Sequence, residues 1–284
     1  MQDYKETTMN LKKLQDKNGR YTMLALDQRG SFVKAYTKTL GKKPTKKQVT
    51  ELKKQIIKSI GKYPSGILLD PIYCLSIAKF VPKALLFCVE KSGYVEHPQG
   101  RKTKLQPDWG VKQAVKKGAD AVKINILYNP DASKDIREHQ QKIAEKIGRE
   151  CKKQKVPYLL EFVVYPLKGN FKKKLPDLVY RSAKEFSKKK YNAAILKIQY
   201  PGNLETCKKI TKNIRQPWIL LTAGIPFNEF VKQLKIAKKG GCSGFLAGRA
   251  VWQDVLKIKS IKKQNDWLNK KGVKNIKTLL RIMK

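Results

Sequence analysis

Two lysines and one carboxylate stand where a folded chain rarely leaves charge. Lys123 lies between Val122 and Ile124, Lys197 between Leu196 and Ile198, and Glu161 inside the run PYLLEFVVY. A charged ammonium among strand hydrophobes costs on the order of several kcal/mol unless it is paired or deprotonated. Desolvation and a second nearby cation both push a lysine pKa down. The product is the neutral amine that attacks a carbonyl carbon to form a Schiff base, and the two lysines would supply that arrangement between them. Glu161 would then move the protons. One such lysine alone reads as a strand-end side chain whose ammonium snorkels to solvent. Two lysines and a carboxylate in three successive strands read as chemistry.

A second cluster has the composition of an anion site. Thr222-Ala223-Gly224 and Ala247-Gly248-Arg249 each follow a short apolar run. The glycines permit close backbone approach, and Arg249 supplies a bidentate donor for phosphate. The plainer reading makes Gly248 a turn and Arg249 a surface cation. Metal chemistry has little to work with, since His97 and His139 are the only histidines. Asp27, Asp70 and Glu90 form a set that could hold Mg²⁺. His97 falls in a loop containing Gly and Pro, and His139 falls mid-helix. Cys74 and Cys88 read as packing residues, without a histidine to activate them.

Eight apolar runs must position these groups: Tyr21–Asp27, Gly66–Asp70, Ala84–Glu90, Ala121–Tyr128, Pro157–Tyr165, Ala193–Tyr200, Trp218–Thr222 and Cys242–Leu246. Each is continuous and not alternating, as in parallel strands covered on both faces. Helical stripes lie between them. One is Val49, Leu52, Ile56 and Ile60, and a second is Ile136, Ile143, Ala144, Ile147 and Cys151. A third is Phe227, Phe230, Val231, Leu234 and Ala237, bounded by Pro226 and Gly240. Eight strand–helix units predict a single (β/α)₈ TIM barrel over residues 1–284, closed by a basic amphipathic helix over 261–284. A doubly wound open sheet is the alternative, but its G-x-G-x-x-G turn is missing. In a barrel the polar residues fall at the C-terminal strand ends. There strand 1 finishes in Asp27-Gln28-Arg29-Gly30, strand 2 in Asp70-Pro71 and strand 3 in Glu90.

Composition excludes several classes. The chain has 284 residues and is 41% hydrophobic, too apolar for a disordered basic tail. No run is long enough for a membrane span, and MQDYKETTMN has no apolar signal region. Five scattered cysteines with no C-x-x-C pair fit a reduced, cytoplasmic protein. The formal charge of +41 invites polyanion binding. Its lysines come as dispersed pairs, among them Lys12-Lys13, Lys53-Lys54 and Lys270-Lys271, and these read as solvated helix faces. The aromatics do not interleave with them as stacking platforms.

The motifs ALDQRGS (25–31), LLDP (68–71), AVKINILYNPD (121–131), PYLLEFVVYP (157–166) and LKIQYPG (196–202) resemble those of the tagatose 1,6-bisphosphate aldolase family. PWILLTAGIPFNEFVKQL (217–234) and GCSGFLAGRAVW (241–252) extend the likeness over nearly the whole chain, in order. This family consists of class I, Schiff-base barrel lyases and includes sulfofructose-phosphate aldolases. The resemblance implies Lys197 as the Schiff-base lysine, Glu161 as the acid/base carboxylate and Lys123 as the second active-site lysine. It places Asp27 and Gln28, with Arg29 beside them, at the strand 1 end that holds substrate. Thr222, Gly224, Gly248 and Arg249 fall at the anion-binding end.

The implied reaction is cleavage of tagatose 1,6-bisphosphate to dihydroxyacetone phosphate and glyceraldehyde 3-phosphate, without cofactor or metal, by a homodimer. A sulfofructose 1-phosphate aldolase, a sulfofructose transaldolase and a non-catalytic polyanion-binding barrel are the alternatives. A barrel freed of catalysis would have no reason to keep Lys197, Glu161, Lys123, Asp27 and Arg249 together. Gln199 stands where many members carry an acid, Thr222 replaces the usual Ser, and the chain is shorter than many members.

Overall fold

The computed structural model describes residues 11–167 and 169–284. Eight parallel strands close into a barrel: β1 (Tyr21–Leu26), β2 (Gly66–Leu69), β3 (Ala84–Cys88), β4 (Ala121–Leu127), β5 (Tyr158–Val163), β6 (Ile195–Ile198), β7 (Trp218–Leu221) and β8 (Gly244–Ala247). Each pairs with its sequence neighbour, and β8 returns to β1 with Tyr21 opposite Gly244. Every expected run forms a strand. The expected TIM barrel is therefore the observed architecture.

Strand alternation sorts side chains into two cores. Met23, Ala25, Leu68, Leu86, Cys88, Ala121, Leu159, Ile195, Ile219 and Leu246 form the buried cluster that fills the barrel. The alternate residues, such as Leu24, Ile67, Phe87, Val122, Leu160, Leu196 and Leu220, pack beneath the helices. Two residues beyond an inward residue the chain again points inward. Asp27 follows Ala25, Glu90 follows Cys88, Lys123 follows Ala121, Glu161 follows Leu159 and Lys197 follows Ile195. All five are buried. The opposite end is closed by the segment before β1: Leu14 is fully buried, and its carbonyl accepts from Ser65 Oγ at 2.7 Å.

The covering helices are α1 (Gly30–Leu40), α2 (Lys46–Ile60), α3 (Val111–Lys116), α4 (Lys134–Lys153), α5 (Phe171–Phe186), α6 (Leu204–Asn213), α7 (Phe227–Lys239), α8 (Arg249–Trp252), α9 (Ile261–Trp267) and α10 (Val273–Met283). α2 opens on a capping box, with Gln48 N donating to Thr45 Oγ1 and Thr45 N to Gln48 Oε1. The three expected stripes become α2, α4 and α7.

Three local expectations change. The β2–β3 connection holds a 3₁₀ segment, Leu75–Phe80, in place of an α-helix, because so few residues lie between Pro71 and Pro82. His97 lies on a two-stranded hairpin (Val95–His97 with Gly100–Lys102), docked by Arg101 N donating to Tyr165 Oη at 3.0 Å. The expected closing helix forms, but a π turn over Leu268–Gly272 divides α9 from α10. There Gly272 lets the helix approach α2, since a Cβ would lie 3.0 Å from Ile60 Cδ1.

Lys53 is a correction. The sequence pairs it with Lys54 on a solvated helix face, yet it is fully buried. Among the described residues all five cysteines are free and buried, and no helix is long and apolar enough to cross a membrane. The stretch MQDYKETTMN, read as lacking a signal region, lies outside the described residues.

Candidate active site

The site sits at the C-terminal mouth of the barrel, where inward alternation changes from apolar to charged. Neighbouring strands put Glu161 directly opposite Lys197 in the β5–β6 register and opposite Asn125 in the β4–β5 register. Lys197 Nζ lies 3.0 Å from Glu161 Oε1. The other oxygen, Glu161 Oε2, lies 2.8 Å from Lys123 Nζ. Lys123 also contacts Asp27 Oδ2 and Glu90 Oε1, each at 2.7 Å. One carboxylate thus bridges the two lysines, and one lysine gathers three carboxylates.

The surrounding carboxylates set the charge of Lys123. Burial alone would depress the Lys123 pKa, but Asp27, Glu161 and Glu90 outweigh it and hold Lys123 well above the ordinary lysine value. Lys123 is therefore a fixed cation. It is thus the charged member of the expected lysine pair. Burial would raise Asp27, yet Lys123 first, then Lys197 and Arg29, hold it well below the usual carboxylate range.

Glu90, in the sequence a strand-end acid and a possible Mg²⁺ ligand, joins the lysine network. Its Oε1 binds Lys123 and its Oε2 accepts from Asn125 N at 3.2 Å. The signal was present: Glu90 stands two residues after inward Cys88. Asp27, Cys88 and Glu90 bring ligand atoms within 4.8 Å of one another, a group that could hold a metal. The Lys123 ammonium already contacts both of its carboxylates. Asp70 stands apart from that group, in an ion pair with Lys53.

The remaining expected residues divide between two tasks. Arg29 clamps the β3 end, donating from Nη2 to Glu90 O at 2.8 Å and from Nη1 to Gln106 Oε1 at 3.4 Å. Gln28 faces the β8 loop, where a Cβ on Gly248 would lie 2.8 Å from Gln28 Nε2. After β7, Thr222 is buried and its carbonyl accepts from Ile225 N at 3.0 Å. Ala223 and Gly224 follow in the left-handed region, with φ of 47° and 81°. A Cβ on Gly224 would lie 2.7 Å from Arg249 Cζ, so the guanidinium rests on the glycine backbone. Gln28, Gly224, Gly248 and Arg249 therefore form one polar wall across β1, β7 and β8. Gln199, two past Lys197, accepts from Val164 N at 2.8 Å and ties the β5 and β6 ends together.

Three comparisons bear on this arrangement. The sequence profile of the DeoC/LacD family aldolases matches residues 21–254. Tagatose 1,6-diphosphate aldolase 1 of Streptococcus mutans is 31% identical over 96% of this chain and 94% of its own length. Tagatose 1,6-diphosphate aldolase of Staphylococcus aureus is 30% identical over 97% and 94%. Among solved structures, an archaeal fructose 1,6-bisphosphate aldolase superposes with a TM-score of 0.68 at 18% identity, covering 98% of both chains. The aldolase of Plasmodium falciparum gives 0.69 at 16% identity, covering 99% of this chain and 93% of its own. At those identities the superpositions speak for the fold, and the profile and the relatives speak for the family. The barrel with its charged mouth thus carries a lyase, and the chain belongs to the DeoC/LacD family of aldolases.

Proposed function

We propose that the chain is a class I aldolase that cleaves a ketose bisphosphate, tagatose 1,6-bisphosphate, through a Schiff base on Lys197. The observation that carries this reading is Lys197 Nζ, buried in the barrel mouth, 3.0 Å from Glu161 Oε1. Lys197 attacks the C2 carbonyl. Glu161 carries the protons that expel water and leave an iminium. Loss of the C4 hydroxyl proton then breaks the C3–C4 bond, with the electron pair drawn into the iminium. Glyceraldehyde 3-phosphate leaves, and the enamine is protonated and hydrolysed to dihydroxyacetone phosphate.

Lys123 supplies a permanent positive charge beside Asp27, Glu90 and Glu161 and keeps three acids in one small volume. Gln28 Oε1 and Asn125 Oδ1 are buried without a partner among the described residues, two acceptors suited to sugar hydroxyls. The Arg249 guanidinium resting on Gly224, with the Gly248 loop beside it, supports a phosphate-binding role for this wall. The substrate assignment follows the relatives named tagatose 1,6-diphosphate aldolase.

The test is borohydride trapping with dihydroxyacetone phosphate, read by mass spectrometry. A reduced adduct mapping to Lys197 and absent from Lys197→Met is expected, with cleavage in that variant down by about a thousandfold or more. No adduct on the native chain would sink the mechanism. A substrate panel of tagatose 1,6-bisphosphate, fructose 1,6-bisphosphate and sulfofructose 1-phosphate then ranks kcat/KM, and the first is expected to lead.

A further inference from the structure

We propose that Lys53, on the outside of the barrel, is a positioning residue that aims Asp27 and Gln28 into the active site. The proposal rests on the roles given to those two residues above.

The last residue pair of the β1–β2 ladder is Leu26 with Leu69, and that of β1–β8 is Leu24 with Ala247. Asp27 and Gln28 therefore lie beyond the strand, and among the described residues no backbone–backbone hydrogen bond fixes their peptide planes. Lys53 takes the place of the missing ladder. It projects from α2 and is fully buried, and its ammonium donates to Leu26 O at 2.9 Å and to Gln28 O at 2.8 Å. These are the carbonyls on either side of Asp27. The third donor goes to Asp70 Oδ2. With three acceptors the ammonium has no donor left over, so its direction is fully specified.

Asp70 is itself immobilised. Its Oδ1 accepts from Ile72 N at 2.9 Å and Tyr73 N at 2.8 Å, and Cys74 Sγ donates to Oδ2 at 3.2 Å. The Phe32 and Tyr73 rings flank the ammonium, at 5.3 and 5.5 Å from Nζ to their centroids. Held this way, the Asp27 side chain turns inward to Lys123 and Gln28 turns to the β8 loop. A buried ion pair is weak support for stability alone, since apolar residues of similar volume often do as well. What an apolar pair would not do is orient two peptide carbonyls.

The test is a coupling cycle between Lys53 and Asp27. Two variants disturb the lysine: K53M/D70N removes both charges of the ion pair, and Lys53→Arg keeps the charge but cannot point three donors at the same acceptors. Each is made in the native background and in Asp27→Asn. Cooperative thermal melts establish folding, borohydride trapping counts competent Lys197, and steady-state cleavage of tagatose 1,6-bisphosphate gives kcat and KM per competent site. In the native background each variant is expected to lower kcat/KM about tenfold or more, while Lys197 remains trappable. In Asp27→Asn the same changes are expected to cost several-fold less than in the native background, the remainder acting through Gln28. Equal losses in both backgrounds, or native kcat/KM in a folded Lys53 variant, would overturn the proposal. Native kcat/KM in Asp27→Asn alone would instead remove the role given to Asp27, and the proposal with it. Lys53→Arg keeps the cycle readable if the double substitution does not fold.

Discussion

Lys123 is the residue on which the charge balance of the barrel mouth turns. Three acids, Asp27, Glu90 and Glu161, contact one ammonium. Lys123→Met leaves them buried against one another, and stability is expected to fall by about 3–5 kcal/mol, read from urea midpoints. Asp27→Asn should cost less, because Glu90 and Glu161 still pair with the lysine. The same network sets the acid response. The Asp27 pKa is lower folded than unfolded, so the stability it contributes is present above the ordinary carboxylate value of about 3.9 and lost as pH falls below it. Urea midpoints taken from pH 6 down to about pH 2 should fall steeply below about pH 4 in the native chain, and less steeply in Asp27→Asn. An unchanged slope would refute the assignment. Lys123 is held the other way, so its contribution persists through neutral pH and disappears only above the ordinary lysine range. The alkaline limb of the pH–rate profile should therefore not report Lys123.

At the scale of elements, the periodicities that specify helices and strands also placed the polar groups, once read through to the residues beyond each strand. The run Val49, Leu52, Ile56 and Ile60 marks the buried face of α2, and Lys53 falls on that face one position after Leu52. Its charge argued for solvent, and its helical position argued for burial. Position won because Asp70 and two strand-end carbonyls wait opposite. Glycines at close contacts are equally specific. On α4, a Cβ at Gly148 would lie 1.9 Å from Tyr191 O. Gly148→Ala is therefore expected to cost about 1–3 kcal/mol or more by forcing α4 outward, despite alanine's better helix propensity. A gain in melting temperature would contradict this packing.

Across the whole molecule, basic residues line a cavity at the end of the barrel away from the candidate site. The barrel mouth holds the lysine–carboxylate network, while a cavity of about 640 Å³ at the opposite end is lined by Lys13, Lys17, Lys83 and Lys284 around Tyr63 and Leu280. Lys277 and Lys62 place ammonium groups 5.1 and 5.4 Å from the Tyr63 ring centroid, the first from a residue far away in the chain. With a net charge of +41, a short single-stranded RNA is expected to bind, and to weaken by about a hundredfold or more between about 50 and 200 mM salt. Fluorescence anisotropy checks this, and Lys197→Met should leave the curve unchanged; salt-independent binding would contradict it. Much of the architecture was determined by the sequence alone, because continuous apolar strands and 3.6-residue stripes are local patterns. The sequence also displayed Lys197, Glu161 and Lys123, because a charge inside a strand is conspicuous in a linear string, and Asp27 as the polar end of the first apolar run. Only the tertiary structure decided that Glu161 bridges the lysines, that Glu90 completes the set, that Lys123 stays charged and that Lys53 braces the β1 end. Each depends on distances between residues far apart in the chain, and those are fixed only when the barrel closes.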